Sequence, residues 1–427
     1  MIADKCWEDR WGNNADQRPN DPRSPFMRDE CRVIHSFAFR RLQGKMQVFG
    51  PEKGDFHRTR MTHSLEVASI ARGIIQHLRT TALPNLNDEE RNHLLRIDAN
   101  DYDRLITTLC LLHDIGHSPF GHAGEAALNF KMHQYGGFEG NAQTLRLVTT
   151  ELEEFTEHHG LGLTRRSLLG LLKYPAPFCK IPGSFPNDNI ANAAVILTDW
   201  EPKKCYYDTE IETVDWVLAP LSEEDRQHFQ QIDQTGRTRC KSFDCSIMDL
   251  ADDIAYSIHD LEDGIFFDLI NQDEFITALE QHSQFATLNT EIHLTQLIKQ
   301  LFHSQQHIRK STAGQLIHYL IQSIAIIPQS GFADSLVKFN AVLSANAREL
   351  VDIIKNFFAD NVIFSRENQA SVHQRALILM ELFDAMIANP SKLLPESKVA
   401  HTDTHRAVCD YISGMTDDYA RRLHEVL

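Results

Sequence analysis

The chain has 427 residues, 42% of them hydrophobic and 24% charged, and a formal net charge of −17; at about 150 residues per domain it allows two or three domains, although large helical folds often stay in one piece. No apolar run approaches the roughly 18 residues of a membrane span, and the acidic balance argues against a protein that coats duplex nucleic acid, because neutralising phosphates needs a basic surface. Eight cysteines without a CxxC pair, in a chain whose opening residues Met1 to Asn20 hold no apolar signal-peptide core, point to reduced thiols and a cytoplasmic location.

Asp9 to Phe26, rich in Asn, Asp, Pro and Arg, reads as an irregular arm, and Arg28 to Gln43 as a helix. Arg23, Arg28, Arg32, Arg40, Arg41, Lys45, Lys53, Arg58 and Arg60 are dense enough for either a solvated basic face or a local basic pocket. Met46 to Phe49 is a candidate extended piece before Gly50-Pro51. Arg58-Thr59-Arg60-Met61-Thr62-His63 opens a long helix, Asn85 to Asn92 is a polar connector, and Tyr102 to His113 is an apolar helix. Gly124 to Gln134 forms the next helix; after the Gly136-Gly137 break, another starts near Phe138 and runs toward Phe155. Thr164 to Lys173 is a short helix stopped by Pro175 and Pro177. Phe178 to Cys240 mixes Pro, Asn, Asp and short helical pieces, with an insertion-like loop around Lys203 to Tyr207. Helical spacing returns at Ser242 to Gly264. It continues through 275–279, 294–302, 313–327, 343–358, 370–387 and 407–427, with no β-alternation or repeat, so the chain reads as all-α.

Two stretches carry chemistry. His113-Asp114-Ile115-Gly116-His117-Ser118-Pro119-Phe120-Gly121-His122-Ala123-Gly124-Glu125 packs three histidines and two carboxylates into thirteen residues. Imidazole and carboxylate together suit a divalent metal, and the Gly/Pro punctuation lets His122 and Glu125 turn back toward His113 and Asp114. A His-Asp pair alone is commonly an exposed or capping pair, so it needs partners elsewhere. The second stretch is the 242–264 helix, where Ile247, Leu250, Ile254, Ile258 and Leu261 form an apolar stripe and Asp249, Asp252, Tyr256, Asp260 and Asp263 an acidic one. An acidic stripe is usually solvated surface. If it is a site, Asp252, Tyr256 and Asp260 share one direction at i, i+4 and i+8. Asp253 lies about 100° round the helix, so Asp252 is the better ligand candidate.

The order His63, His113-Asp114, Asp252 is that of the HD-domain metal phosphohydrolases. The chain most closely resembles the deoxyguanosinetriphosphate triphosphohydrolase family. Further segments carry the likeness: Phe39 to Phe49, Arg58 to Ser64, Phe138-Glu139-Gly140-Asn141-Ala142-Gln143, Leu172-Lys173-Tyr174, Ala251 to Tyr256 and Tyr411-Ile412-Ser413-Gly414-Met415-Thr416-Asp417. The resemblance implies an HD-domain helical fold with additional C-terminal helices: an arm at 1–32, a phosphohydrolase core at 33–270 and a helical region at 271–427 packed on it. It implies one divalent ion per subunit (Mn, Mg, Fe, Co or Ni) held by His63, His113, Asp114 and Asp252, with His122 as acid or base and Glu125 orienting it. Arg60 and Lys173 would meet triphosphate oxygens. Tyr256 would pack on the deoxyribose, Asp260 hold its 3′-hydroxyl and Gln47 contact sugar or base, with His117, Asn141 and Tyr174 around the pocket. The implied reaction is hydrolysis of dGTP or other dNTPs at the α-phosphorus to deoxynucleoside and triphosphate. The alternatives are an HD phosphohydrolase on another nucleotide, or a nucleotide-sensing or single-strand nucleic-acid-binding protein. The family also implies a homo-oligomer, a hexamer being one such state, and allows a dNTP activator and single-stranded nucleic acid as partners, but no membrane.

Overall fold

The computed structural model describes residues 6–12, 20–50, 57–95, 97–153, 160–182, 195–281, 294–395 and 403–427; Pro51, Lys53 and Phe155, used in the sequence reading, lie outside them. Helix α1 (Pro25–His35) starts on a Ser24 cap with proline at its first position, and Ser36, extended, ends it. The same Ser36 hydroxyl then accepts from Phe39 N–H to start α2 (Phe37–Arg41). The single helix expected over Arg28 to Gln43 is therefore two, because a serine that caps the second competes with continuation of the first.

Thr59 and Thr62 form a reciprocal capping box at the start of α3 (Arg60–Thr81). Part of the expected Asn85–Asn92 connector is helix α4 (Asp88–Leu94): Asn87 caps it, and Asp88, Glu89 and Glu90 place negative charge at the positive end of its dipole. Asp98 caps α5 (Ala99–Leu112), which ends at His113. Next come α6 (His122–Met132), α7 (Gly140–Thr149), α8 (Arg165–Leu171), α9 (Ile211–Leu218) and α10 (Glu223–Phe229), then α11 (Phe243–Phe266), α12 (Gln272–Glu280) and α13 (Leu294–Leu301).

In this region the sequence predicts no strand and a helix through Ile327; the structure departs from both. Helix α14 (Gln306–Gln322) stops, and β1 (Ile324–Pro328) pairs antiparallel with β2 (Phe339–Leu343), Ile324 opposite Leu343 and Pro328 opposite Phe339. Pro328 pushes Ile327 away from helical angles, and the β-branched run suits an extended chain. Phe339, Ala341 and Leu343 alternate inward in a strand that packs on α11. Between the strands lies α15 (Ser335–Lys338). The chain closes with α16 (Ala345–Phe358), α17 (Arg366–Ala388), α18 (Pro390–Leu393), α19 (Thr404–Ser413) and α20 (Asp417–Glu425). Among the described residues the fold is all-α apart from this hairpin, and no helix is long and apolar enough to cross a membrane.

Among the described residues, two large apolar cores organise these elements. In the larger, α3, α5 and α11 pack on one another through residues such as Ile74, Leu109 and Ile254. In the smaller, α6, α17 and α19 meet through Leu128, Leu379, Phe383 and Ile412. Burying each such side chain contributes about 1.5–3 kcal/mol. Ile115 belongs to the first core and Phe120 to the second, so the segment from His113 to His122 crosses the seam between them.

Candidate active site

Three helices bring the expected ligands together at that seam. His63 sits in the first turn of α3, His113 ends α5 with Asp114 beside it, and Asp252 projects from the middle of α11. One ligand atom each of His63, His113 and Asp114 lies within 4.8 Å of the others. Asp252 joins through the histidines, its Oδ1 being 3.0 Å from His63 Nε2 and 3.6 Å from His113 Nε2. Asp253 turns away, to Arg348 at 2.6 Å and Lys355 at 2.8 Å.

The histidine tautomer supplies a test of whether a cation fits. His113 Nδ1 lies 2.6 Å from the Cys110 carbonyl oxygen, which can only accept, so Nδ1 carries a proton and Nε2 is the nitrogen available to a ligand. That Nε2 is buried without a hydrogen-bond partner. An orphaned ring nitrogen between two carboxylates is an arrangement that a divalent cation completes. Burial alone would raise the pKa of Asp114, but the Arg60 guanidinium, 2.7 Å away, holds it well below the usual carboxylate range. Asp252 is likewise held down against its burial by His113, His63 and Lys173. Both carboxylates are ionised at neutral pH.

Beside the cluster, the His122 side chain is 77% exposed while Glu125, one turn on, is buried. Glu125 Oε2 lies 3.3 Å from His122 Nδ1, and its Oε1 accepts from Gly140 N–H at 2.8 Å. Helix α6 therefore offers an imidazole backed by a fixed carboxylate. His117 Nδ1 is 3.1 Å from Asp114 Oδ1; burial and the Arg60 charge push its pKa down to about 3, so this ring is neutral.

A cavity of about 230 Å³ opens over these groups. Of the residues expected at the site, Gln47, Arg60, His113, Asp114, His117, His122, Asn141, Lys173, Tyr174, Asp252 and Tyr256 line it. His63 and Glu125 are buried and do not line it, and neither does Asp260, which is buried with neither carboxylate oxygen hydrogen-bonded. The Lys173 ammonium is 2.7 Å from Asp249 and 3.9 Å from Asp252. Of the basic residues, Arg32 and Arg58 are engaged elsewhere, with the Leu161 and Gly162 carbonyls and with Glu66 and Asp263. Arg60 faces the cavity and Lys45 is buried.

The structure adds walls that sequence reasoning did not include. Lys204, from the aperiodic 178–240 stretch, lines the cavity with its ammonium 3.2 Å from Glu139. Helix α17 adds Asn368, Val372 and Arg375; their i, i+4, i+7 spacing marks a helix face, but nothing in the sequence ties that face to the histidines. Gly121 caps α6 without a side-chain hydrogen bond, and Gly121, His122 and Ala123 all line the cavity, so the positive end of this helix faces it.

Residues 60–172 match the HD domain family and residues 341–426 the phosphohydrolase-associated domain family. Over its whole length the chain is 43% identical to a deoxyguanosinetriphosphate triphosphohydrolase-like protein of Shewanella pealeana, covering 97% of that protein. It is 42% identical over 99% of its length to deoxyguanosinetriphosphate triphosphohydrolase-like protein 1 of Vibrio cholerae, again covering 97% of the relative. A similarly named protein of Aliivibrio salmonicida is 41% identical over 99% of the chain and 96% of its own length.

Proposed function

This chain belongs to the deoxyguanosinetriphosphate triphosphohydrolase-like family, and from that premise we propose that it hydrolyses deoxynucleoside triphosphates at the α-phosphorus, giving a deoxynucleoside and intact triphosphate. The observation that carries this reading is the convergence of His63, His113, Asp114 and Asp252 around an orphaned imidazole nitrogen, with the exposed His122 ring beside it. These four residues would hold one divalent ion of the Mn, Mg, Fe, Co or Ni type. When bound, the ion would polarise a phosphate oxygen and make water more acidic.

The chain's own side chains do the rest. In the reaction a water oxygen bonds to the α-phosphorus, the bond from phosphorus to the 5′ oxygen breaks, and that oxygen leaves with a proton. Glu125 engages Nδ1 of His122, which leaves Nε2 to move a proton at either the water or the 5′ oxygen. Lys173, Lys204, Arg60 and the N-terminus of α6 supply positive potential for the triphosphate. Tyr256, on the Asp252 face of α11, is a wall for the sugar.

The test is chromatography of products after metal-loaded protein meets each dNTP and GTP, alongside Asp252→Ala. Deoxynucleoside plus triphosphate from dNTPs, lost in the variant, supports the reading. Release of phosphate or pyrophosphate overturns attack at the α-phosphorus; no turnover with any dNTP favours a nucleotide-sensing protein.

A further inference from the structure

The turn that presents His122 is unusual in its backbone. Phe120 has φ of 62° and Gly121 φ of 59°, two consecutive residues in the left-handed region immediately before α6. Glycine tolerates this; a phenylalanine adopts it only where its surroundings compel it. The compelling contact comes from almost three hundred residues away. Phe120 N–H donates to Asp417 Oδ1 at 2.9 Å, and the other oxygen, Oδ2, accepts from Met46 N–H at 2.9 Å. Asp417 is buried, at 6% exposure, in the first turn of α20.

One carboxylate thus ties together two walls of the cavity, since Met46 and Phe120 both line it. A second buried polar side chain reinforces the arrangement. Lys45 Nζ donates to the His117 carbonyl at 2.5 Å and to the Ser413 carbonyl at 2.8 Å. The chain packs tightly here: a Cβ added to Gly44 would come within 2.7 Å of the Thr416 side chain. One helical turn beyond Asp417, the Arg421 guanidinium lies 5.5 Å from the Phe120 ring centroid. The segment from His117 to Phe120 is therefore pinned at its carbonyl by Lys45 and at its amide by Asp417, and both pins lead to residues 413–417.

We infer that Asp417 is a positioning residue for His122: by fixing the Phe120–Gly121 turn from the C-terminal helical segment, it aims the imidazole into the cavity. This rests on the role proposed above for His122. It accounts for the Tyr411-to-Asp417 motif, for which the reaction itself has no use, because no residue of that motif lines the cavity. A carboxylate can accept from two amides at once. Asparagine keeps one acceptor oxygen and turns a donor toward the second amide, so Asp417→Asn loosens the turn while keeping the side chain's size.

The experiment uses the full-length, metal-loaded protein and compares Asp417→Asn with Thr416→Ala. Thr416→Ala removes the hydroxyl cap of the same helix, where Thr416 accepts from Tyr419 N–H, without touching Phe120. Thermal midpoint, metal content, kcat, KM and hydrogen–deuterium exchange of the peptide spanning residues 118–124 are measured for each. The expected result for Asp417→Asn is a kcat lower by roughly a hundredfold, the size of loss that a misplaced reacting group produces. Its KM and metal content stay near wild type and exchange at 118–124 is faster. Thr416→Ala lowers the midpoint but leaves kcat and exchange at 118–124 near wild type. If Asp417→Asn keeps wild-type kcat, or if both variants lose kcat in step with their midpoints, the positioning role is overturned. Should the wild type turn over no dNTP, the proposed reaction fails on its own account, and unchanged exchange at 118–124 in Asp417→Asn would then overturn the hold on the turn as well.

Discussion

Asp252 Oδ1 lies 3.0 Å from His63 Nε2, joining the middle of α11 to the first turn of α3, while the adjacent Asp253 reaches Arg348 and Lys355 on α16. Neighbouring carboxylates thus have separate tasks. Asp252→Asn is expected to lose bound metal and turnover together. Asp253→Asn should keep both and cost about 0.5–1 kcal/mol of stability, the worth of a partly exposed ion pair. Metal content by mass spectrometry, with kcat on dGTP, checks both; full metal occupancy in Asp252→Asn would remove this residue from the ligand set.

Arg60 and Asp114 form a buried pair at 2.7 Å. Arg60→Ala leaves the carboxylate without its main counter-charge, which is expected to destabilise the metal-free protein by about 3–5 kcal/mol. A bound dication supplies replacement charge, so the loss should shrink when metal is present. Melting curves of wild type and variant, each with chelator and with manganese, measure the difference. An equal loss under both conditions argues that the cation does not sit beside Asp114.

Burial pushes the Lys45 amine down to about 7 from an ordinary 10.5, against the opposing pull of Asp417. A neutral amine has two hydrogens, which matches its two carbonyl acceptors, on His117 and Ser413. Because the folded value is the lower one, the unfolded chain binds more protons between about pH 7 and 10.5, and stability rises with pH across that window. The gain is complete above the unfolded value and is lost as pH falls through about 7. Lys45→Met should flatten this slope, whatever its effect on stability at a single pH. Denaturant titrations at pH 6.5, 7.5, 8.5 and 9.5 give the slopes; parallel curves for the two proteins would contradict the assignment.

Lys204 and Lys203 are sequence neighbours with different surroundings. Lys204 lines the cavity, whereas Lys203 lies over the Phe178 ring and donates to the Ile181 carbonyl. Lys204→Ala is expected to lower kcat/KM by roughly 10- to 100-fold, as for the loss of a charged hydrogen bond of about 1.5–3 kcal/mol, and Lys203→Ala to leave it near wild type. Steady-state kinetics on dGTP distinguishes them, and equal effects would deny Lys204 a role in the pocket.

What the sequence by itself determined is what local chemistry and periodicity can express. The apolar helix ending in His113-Asp114 was legible because side-chain spacing follows the 3.6-residue turn, and the same period separates Asp252 from Asp253 on α11. Only the tertiary structure decided which remote groups meet. Nothing in Lys204, or in Asn368, Val372 and Arg375, says that they face the histidines, because they arrive through chain packing across the seam of two cores. The hairpin of β1 and β2 was missed for a related reason. Its apolar residues fit a helical period as well as a strand, and the choice fell to Pro328 and to the inward packing of Phe339, Ala341 and Leu343. The turn at Phe120 is the sharpest case, since its left-handed backbone is held by a carboxylate from the far end of the chain, and a contact between residues so distant leaves no periodic trace in either stretch.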